Sequence, residues 1–103
     1  MNIRKWLAEV DEELLCADGL DDAILGVCER AGSSNVVAYD AVKCVDILMD
    51  SNGWDWDEAS EYFDFNVVGA YMGDRTPVFI TYVTPEASGL TALLEGAILP
   101  KTE

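Results

Sequence analysis

The chain has 103 residues, half of them apolar, which is enough for one domain with a modest hydrophobic core. Twenty Asp and Glu residues against six Lys and Arg give a net charge of -14, beyond the magnitude of roughly 2 to 8 that is usual for a small soluble domain. Three Trp, four Tyr and three Phe favour a packed fold over disorder. No apolar run approaches the roughly 20 residues that a membrane helix needs. We expect a single domain over residues 1–103, with no direct binding of nucleic acid and no membrane contact.

The N-terminus and the cysteines together predict a cytoplasmic protein. Arg4 and Lys5 are followed by a mixed acidic and apolar pattern rather than by the apolar run of a signal peptide. The cysteines are odd in number and lie in apolar, helix-like surroundings, as reduced core cysteines do: Cys16, Cys28 and Cys44.

The first half of the chain predicts two helices, a strand and the start of a third helix. Residues 3–16 have apolar side chains at helical spacing on one face. A second helix is predicted from about Asp21 to a stop at Gly32. Residues 35–39 (NVVAY) are mostly β-branched and aromatic, which is typical of a buried strand. Asp40 then has the position of an N-cap and predicts the third helix.

The next segment begins with residues 50–53, whose turn chemistry ends the third helix. Asp55 and Glu58 have the spacing of a capping box and predict a fourth helix that ends near Gly73. Residues 77–83 (PVFITYV) carry bulky side chains on both faces, so we expect a central or well-covered strand.

A short closing helix is predicted after Thr84 and Pro85, with three leucines on its apolar face: Leu90, Leu93 and Leu94. The order is then helix, helix, strand, helix, helix, strand, helix. It predicts an α+β domain in which four or five helices pack on a small two- or three-stranded sheet.

The chain lacks the residues that most enzymes and metal sites use. It has no His, which excludes His-dependent nucleophiles, bases and zinc sites. Its cysteines form no CxxC pair, and no glycine-rich phosphate loop occurs. Residues 50–55 partly resemble a calcium loop, but Trp54 and Asp55 stand where a ligand oxygen and a Gly are required. We therefore expect no enzymatic activity and no cofactor or metal. A carboxylate-metal enzyme is the least favoured of the hypotheses.

The acidic residues are patterned along the chain. Eight acids and no base lie between Lys5 and Arg30, and eight more acids and no base lie between Lys43 and Arg75. On the predicted fourth helix, three outward acids fall along about 10 Å of the axis, or about 3.4 Å per charge. The three acids are Asp57, Glu61 and Asp64. Their spacing along the axis is similar to the phosphate spacing of one DNA strand.

Two interpretations of this pattern stay open: solvated outer faces, or a surface that imitates nucleic acid and enters a basic groove of a partner protein. Trp54, just outside the fourth helix, is an exposed anchor in the second interpretation and a hydrophobic staple in the first. Trp56 lies on the inner face of that helix and is predicted to be core. The candidate partner-binding residues are Glu9, Glu12, Glu13, Asp46, Asp50, Trp54, Asp57, Glu61 and Asp64.

Residues 37–80 resemble a family of small uncharacterised acidic proteins of bacteriophages and prophages. The resemblance is carried by YD at 39–40, EA at 58–59, EYF at 61–63, FNV at 65–67, GAY at 69–71, Gly73, and TPVFI at 76–80. The family brings no activity and no catalytic residue. Its phage association implies action on host machinery, in the manner of an anti-CRISPR or anti-restriction protein that mimics DNA in the host cytoplasm.

The leading hypothesis is therefore a phage-type inhibitory binding protein. Its acidic stretches, from Glu9 to Asp22 and from Asp46 to Asp64, would occupy a basic nucleic-acid-binding protein or complex of the host, without turnover. The alternative is a non-enzymatic structural or adaptor protein, possibly a homodimer, that binds through apolar and strand surfaces.

Overall fold

The computed structural model describes residues 2–82. Within them, three α-helices and a three-stranded sheet form an α+β arrangement, which confirms the predicted fold class and sheet size. The predicted number of four or five helices is not reached in this part of the chain, and the predicted closing helix lies outside the described residues. In chain order the elements are α1 (Ile3–Val10), β1 (Ile24–Cys28), β2 (Val36–Asp40), α2 (Ala41–Asn52), α3 (Trp56–Tyr62) and β3 (Val78–Ile80).

Strand β2 is the middle strand of the sheet, which has the order β1-β2-β3. It pairs antiparallel with β1 and parallel with β3. The first four residues of β2 are buried, in agreement with the buried strand predicted from the sequence. A strand covered on both faces needs apolar side chains in succession, which is the pattern of NVVAY.

Tyr39 of β2 is the centre of the core. Its ring is fully buried and stacks on Phe79 of β3 at a centroid distance of 5.3 Å. Phe79 in turn meets the edge of Phe63 at 5.3 Å. The Tyr39 hydroxyl accepts a hydrogen bond of 2.6 Å from the Ala17 backbone N–H. Desolvation of the phenol raises the pKa of Tyr39 to about 12, so the side chain stays neutral.

The first helix is shorter than predicted, and Asp11 is the reason. Helix α1 ends at Val10, and the side chain of Asp11 accepts a hydrogen bond of 3.0 Å from the Glu13 N–H. Such a local bond offers the backbone an alternative to the helix. The segment from 11 to 20 continues without helix, and Leu14 and Cys16 pack against the core from it.

The predicted second helix is wrong. Asp21–Ala23 form a single 3-10 turn, after which the chain extends as β1 with a bulge between Ile24 and Gly26. Gly26 has φ of 155°, a conformation that favours Gly, and a Gly inside a helix costs about 1 kcal/mol relative to Ala. A short apolar run of this kind can form either a strand or a helix. Here its pairing with β2 stabilises the strand.

Helices α2 and α3 begin where the sequence predicts. The Asp40 carboxylate accepts a hydrogen bond of 3.1 Å from the Lys43 N–H and caps α2. Gly53 ends α2 in the left-handed conformation, at φ 70°. The capping box of α3 is complete, because Asp55 accepts from the Glu58 N–H at 2.9 Å and Glu58 accepts from the Asp55 N–H at 3.3 Å.

The end of the fourth predicted helix differs from expectation. Residues Phe63–Val68 form a π-helical segment, closed by a hydrogen bond of 3.1 Å from the Gly69 N–H to the Asp64 carbonyl five residues earlier. The helical chain thus stops at Val68 rather than near Gly73. Gly73 instead belongs to a turn, in which its carbonyl accepts from the Thr76 N–H at 3.1 Å.

Strand β3 is short, and among the described residues it pairs only with β2. The strand itself is confirmed, and within residues 2–82 it lies at the edge of the sheet. Phe79 faces the core, whereas Ile80 is exposed. The two faces of PVFITYV therefore differ in environment: the side with Phe79 faces the core, and the side with Ile80 is exposed.

The three cysteines are free thiols. Cys44 is buried in α2, and desolvation raises the pKa of its thiol to about 12. Cys16 and Cys28 are half-buried. They lie in the 11–20 segment and in β1, not in the helices that their surroundings suggested.

We expect the substitution Asp55→Ala to destabilise the protein by about 1 kcal/mol, because it leaves the N-terminal N–H groups of α3 without the capping carboxylate. Asp46→Ala is the matched control, since it removes the same charge from an exposed position inside α2 and should change stability by less than about 0.5 kcal/mol. Urea unfolding of the two full-length variants measures both values. Equal losses would contradict the assigned role of Asp55.

Candidate functional site

The two arginines that form ion pairs both neutralise acids of the first acidic stretch. Arg75 donates from Nη1 to Asp11 at 2.7 Å and from Nη2 to Glu13 at 3.0 Å. Nη1 also donates to the Asn35 carbonyl at 3.3 Å. The side chains of Arg75 and Asp11 are each only 22% exposed, so this pair is more protected than a typical surface ion pair.

Arg4 acts in the same way on the following acids. Its Nε lies 2.9 Å from one carboxylate oxygen of Asp21 and 3.1 Å from the other, and Nη2 lies 3.4 Å from Asp18. The hydrogen bond to Asp21 raises the pKa of Arg4 above its already high ordinary value, so the charge is permanent. Four acids of the first stretch thereby have a basic partner.

The second acidic stretch has a different environment. Every ion pair between described residues uses Arg4 or Arg75, and none of them includes an acid of α2, α3, the turn between these helices or the π-helical segment. Seven acids of that region are all exposed. We call them the α2–α3 acidic surface: Asp46, Asp50, Asp55, Asp57, Glu58, Glu61 and Asp64.

The three acids of the predicted ladder belong to two helical segments. Asp57 and Glu61 lie on α3, and Asp64 is the second residue of the π-helical segment. Glu61 borders one groove together with Trp54, whereas Asp64 borders another together with Trp56. All three acids are exposed.

The first of these grooves, which we call the aromatic groove, has a volume of about 410 Å³. Trp54 and Tyr62 approach each other in it at a ring-centroid distance of 5.1 Å. Phe65 is 74% exposed beside them. Its lining residues are Trp54, Glu58, Glu61, Tyr62, Phe65 and Asn66.

The second groove has a volume of about 180 Å³ and lies between α2, α3 and the residue after β3. Val42 and Trp56 line it and are 55% and 58% exposed, so they contribute an apolar floor that Asp64 and Thr81 border. Large exposed apolar side chains beside unpaired charges are a common feature of surfaces that bind other proteins.

The core prediction for Trp56 is wrong, whereas Trp54 follows the staple alternative. Trp56, predicted to be core, is mostly exposed. Trp54, predicted as the exposed anchor or a staple, is half-buried and packs against the core and Tyr62. The reason is the left-handed turn at Gly53, which places the residue before the Asp55 cap against α3 in the manner of a hydrophobic staple.

The nine predicted partner-binding residues fall into two groups. Glu9 and Glu12 are exposed on and after α1, and Glu13 is exposed but bound to Arg75. The other six lie on α2, on α3, in the turn between these helices or in the π-helical segment. Sequence reasoning named Tyr62 as a possible interface anchor but missed Phe65, although a second aromatic residue three positions after Tyr62 among acids was a usable signal.

Among residues 2–82, no group of three or more Cys, Asp or Glu side chains has an arrangement that would hold a metal ion. None of the helices in the same part of the chain is long and apolar enough to cross a membrane. Comparisons of the chain with known protein families, with curated protein sequences and with solved structures find no match.

The Arg75 contacts lead to a prediction about pH. The hydrogen bond from Arg75 holds the pKa of Asp11 below its ordinary value of 3.8. A carboxyl whose pKa is lower in the folded than in the unfolded state stabilises the fold above the unfolded pKa, and this stabilisation is lost as the pH falls through the folded value. We expect Arg75→Gln to raise the pKa of Asp11, which NMR titration of the Asp11 carboxyl measures. The loss of stability that this pair causes at acid pH should then disappear.

Arg30→Gln is the control for this titration. It removes the same charge, but Arg30 donates to the backbone carbonyls of Ser34 and Asp74 and not to a carboxylate. An Asp11 titration that is unchanged by Arg75→Gln, or shifted equally by both substitutions, would contradict the assigned pair.

Proposed function

We propose that the protein is a phage-type inhibitory binding protein whose α2–α3 acidic surface occupies a basic nucleic-acid-binding surface of a host defence complex, of the anti-CRISPR or anti-restriction kind. It acts by occlusion and not by turnover. The observation that carries the proposal is the unequal use of basic residues: four acids near the N-terminus have arginine partners, whereas those of α2 and α3 have none among the described residues.

The electrostatic cost of this arrangement supports a functional interpretation. Like charges one helical turn apart, such as Asp46 and Asp50, destabilise an isolated helix by a few tenths of a kcal/mol. A net charge of -14 adds self-repulsion across the whole domain. A basic partner removes both penalties on binding, and its attraction to the acidic surface accelerates the encounter.

The proposed mimicry rests on the charge of the surface. Glu61 borders the aromatic groove and Asp64 borders the second groove, so the surface offers two acid-bordered grooves. π-helical segments are rare and occur frequently at functional sites, which agrees with placing the contact here. Glu9, Glu12 and Glu13 are peripheral to the binding surface in this proposal. Glu13 already has a partner in Arg75.

The second candidate is the structural or adaptor protein, possibly homodimeric. It is favoured by the open side of β1, which pairs only with β2 among the described residues and carries an exposed Leu25. An unpaired strand edge is a template for pairing with another chain. If the protein is such an adaptor, the α2–α3 acidic surface only interacts with solvent.

Charge reversal separates the two candidates. We expect Asp57→Lys, Glu61→Lys and Asp64→Lys together to reduce the binding of host proteins by about tenfold or more, because like charges then face the basic partner. The measurement is the amount of each bacterial protein retained by the immobilised full-length chain from a low-salt lysate.

The matched control reverses three exposed acids outside α2 and α3: Glu12, Asp22 and Glu29. It changes the net charge by the same amount, so the mimic should keep its partner in this variant. Retention of the same proteins by both triple variants would favour the adaptor and reject the mimic. Circular dichroism of both variants establishes that each is folded.

A further inference from the structure

The aromatic groove contains more exposed aromatic surface than a solvated helix face requires. Phe65 is 74% exposed and Tyr62 is 41% exposed. Trp54 packs against Tyr62 at 5.1 Å, which fixes the position of both rings at the floor of the groove. Aromatic side chains in such positions are typical anchors of protein interfaces.

Two carboxylates border the same groove. The Oε1 atom of Glu58 accepts the hydrogen bond from the Asp55 N–H, and this bond holds the carboxylate in place while the second oxygen accepts no bond from a described residue. Glu61 accepts no hydrogen bond from any described residue. Among the residues that the structure describes, no Lys or Arg lines the groove.

A flat cation fits this combination better than other ligands. An anion is repelled by both carboxylates, and a purely apolar side chain would desolvate them without replacing their hydrogen bonds. A guanidinium group stacks on aromatic faces and also donates paired hydrogen bonds to a carboxylate. An ammonium group is compact and strongly hydrated, and it lacks the planar surface for stacking.

We propose that the aromatic groove binds an arginine side chain of the basic partner, so that the protein distinguishes arginine from lysine at this point of the interface. The inference rests on the proposed function and deepens it by naming the group that is recognised. General attraction by the α2–α3 acidic surface brings a basic segment near, and the aromatic groove selects the residue.

The test compares oligo-arginine and oligo-lysine peptides of equal length and charge, titrated by calorimetry into the full-length protein at low and high salt. We expect the arginine peptide to bind about fivefold to thirtyfold more tightly. The double substitution Tyr62→Leu and Phe65→Leu should abolish this preference. Phe65→Leu alone, at a highly exposed position, should reduce it without affecting the fold.

The control variant carries Tyr71→Leu and Tyr82→Leu, two exposed tyrosines outside the groove. It should keep the preference for arginine. Equal binding of the two peptides by the unsubstituted protein, or an arginine preference that survives Phe65→Leu and the double substitution, would overturn the arginine groove while leaving charge recognition intact. Absence of binding to either peptide at low salt would overturn both the groove and the proposed function.

Discussion

The burial of Tyr39 in the middle strand determines where the other parts of the domain lie. Its ring connects β2 to Phe79 of β3 and, through Phe79, to Phe63 at the start of the π-helical segment. Its hydroxyl holds the N-terminal segment at Ala17. A buried phenol without a partner would cost about 1 to 3 kcal/mol, so this hydrogen bond ties the non-helical 11–20 segment to the core. The acidic surface of α2 and α3 is presented by this framework.

Elements fixed by neighbouring residues could be predicted from the sequence, and those fixed by distant residues could not. Asp40, Gly53 and the Asp55–Glu58 pair act on the backbone within a few positions, and the helix boundaries that they define are as predicted. Strand β1 depends on pairing with β2, which the apolar run around Gly26 does not specify by itself. The core position of β2 was predictable because its Val and Tyr residues follow one another in a run that is typical of a buried strand.

The same distinction applies to the candidate site. That two stretches are free of bases is evident from the sequence, but the Arg75 pairs with Asp11 and Glu13 join residues more than 60 positions apart. Together with the Arg4 pairs they neutralise four acids of the first stretch, whereas the α2–α3 acidic surface has no basic partner among the described residues. The sequence also does not show that Glu61 and Asp64 border different grooves. The structure thus shows where the acids lie and which grooves they border, and the composition alone does not show this.

The most direct test of the central claim is competition between the protein and duplex DNA for a host partner. The full-length chain is immobilised, its partners are captured from bacterial lysate at low salt, and the bound fraction is measured as duplex DNA is added. A surface that occupies a nucleic-acid-binding site predicts release of the captured partner by DNA, and equally by raised salt. A partner that stays bound under saturating DNA and high salt would contradict the account.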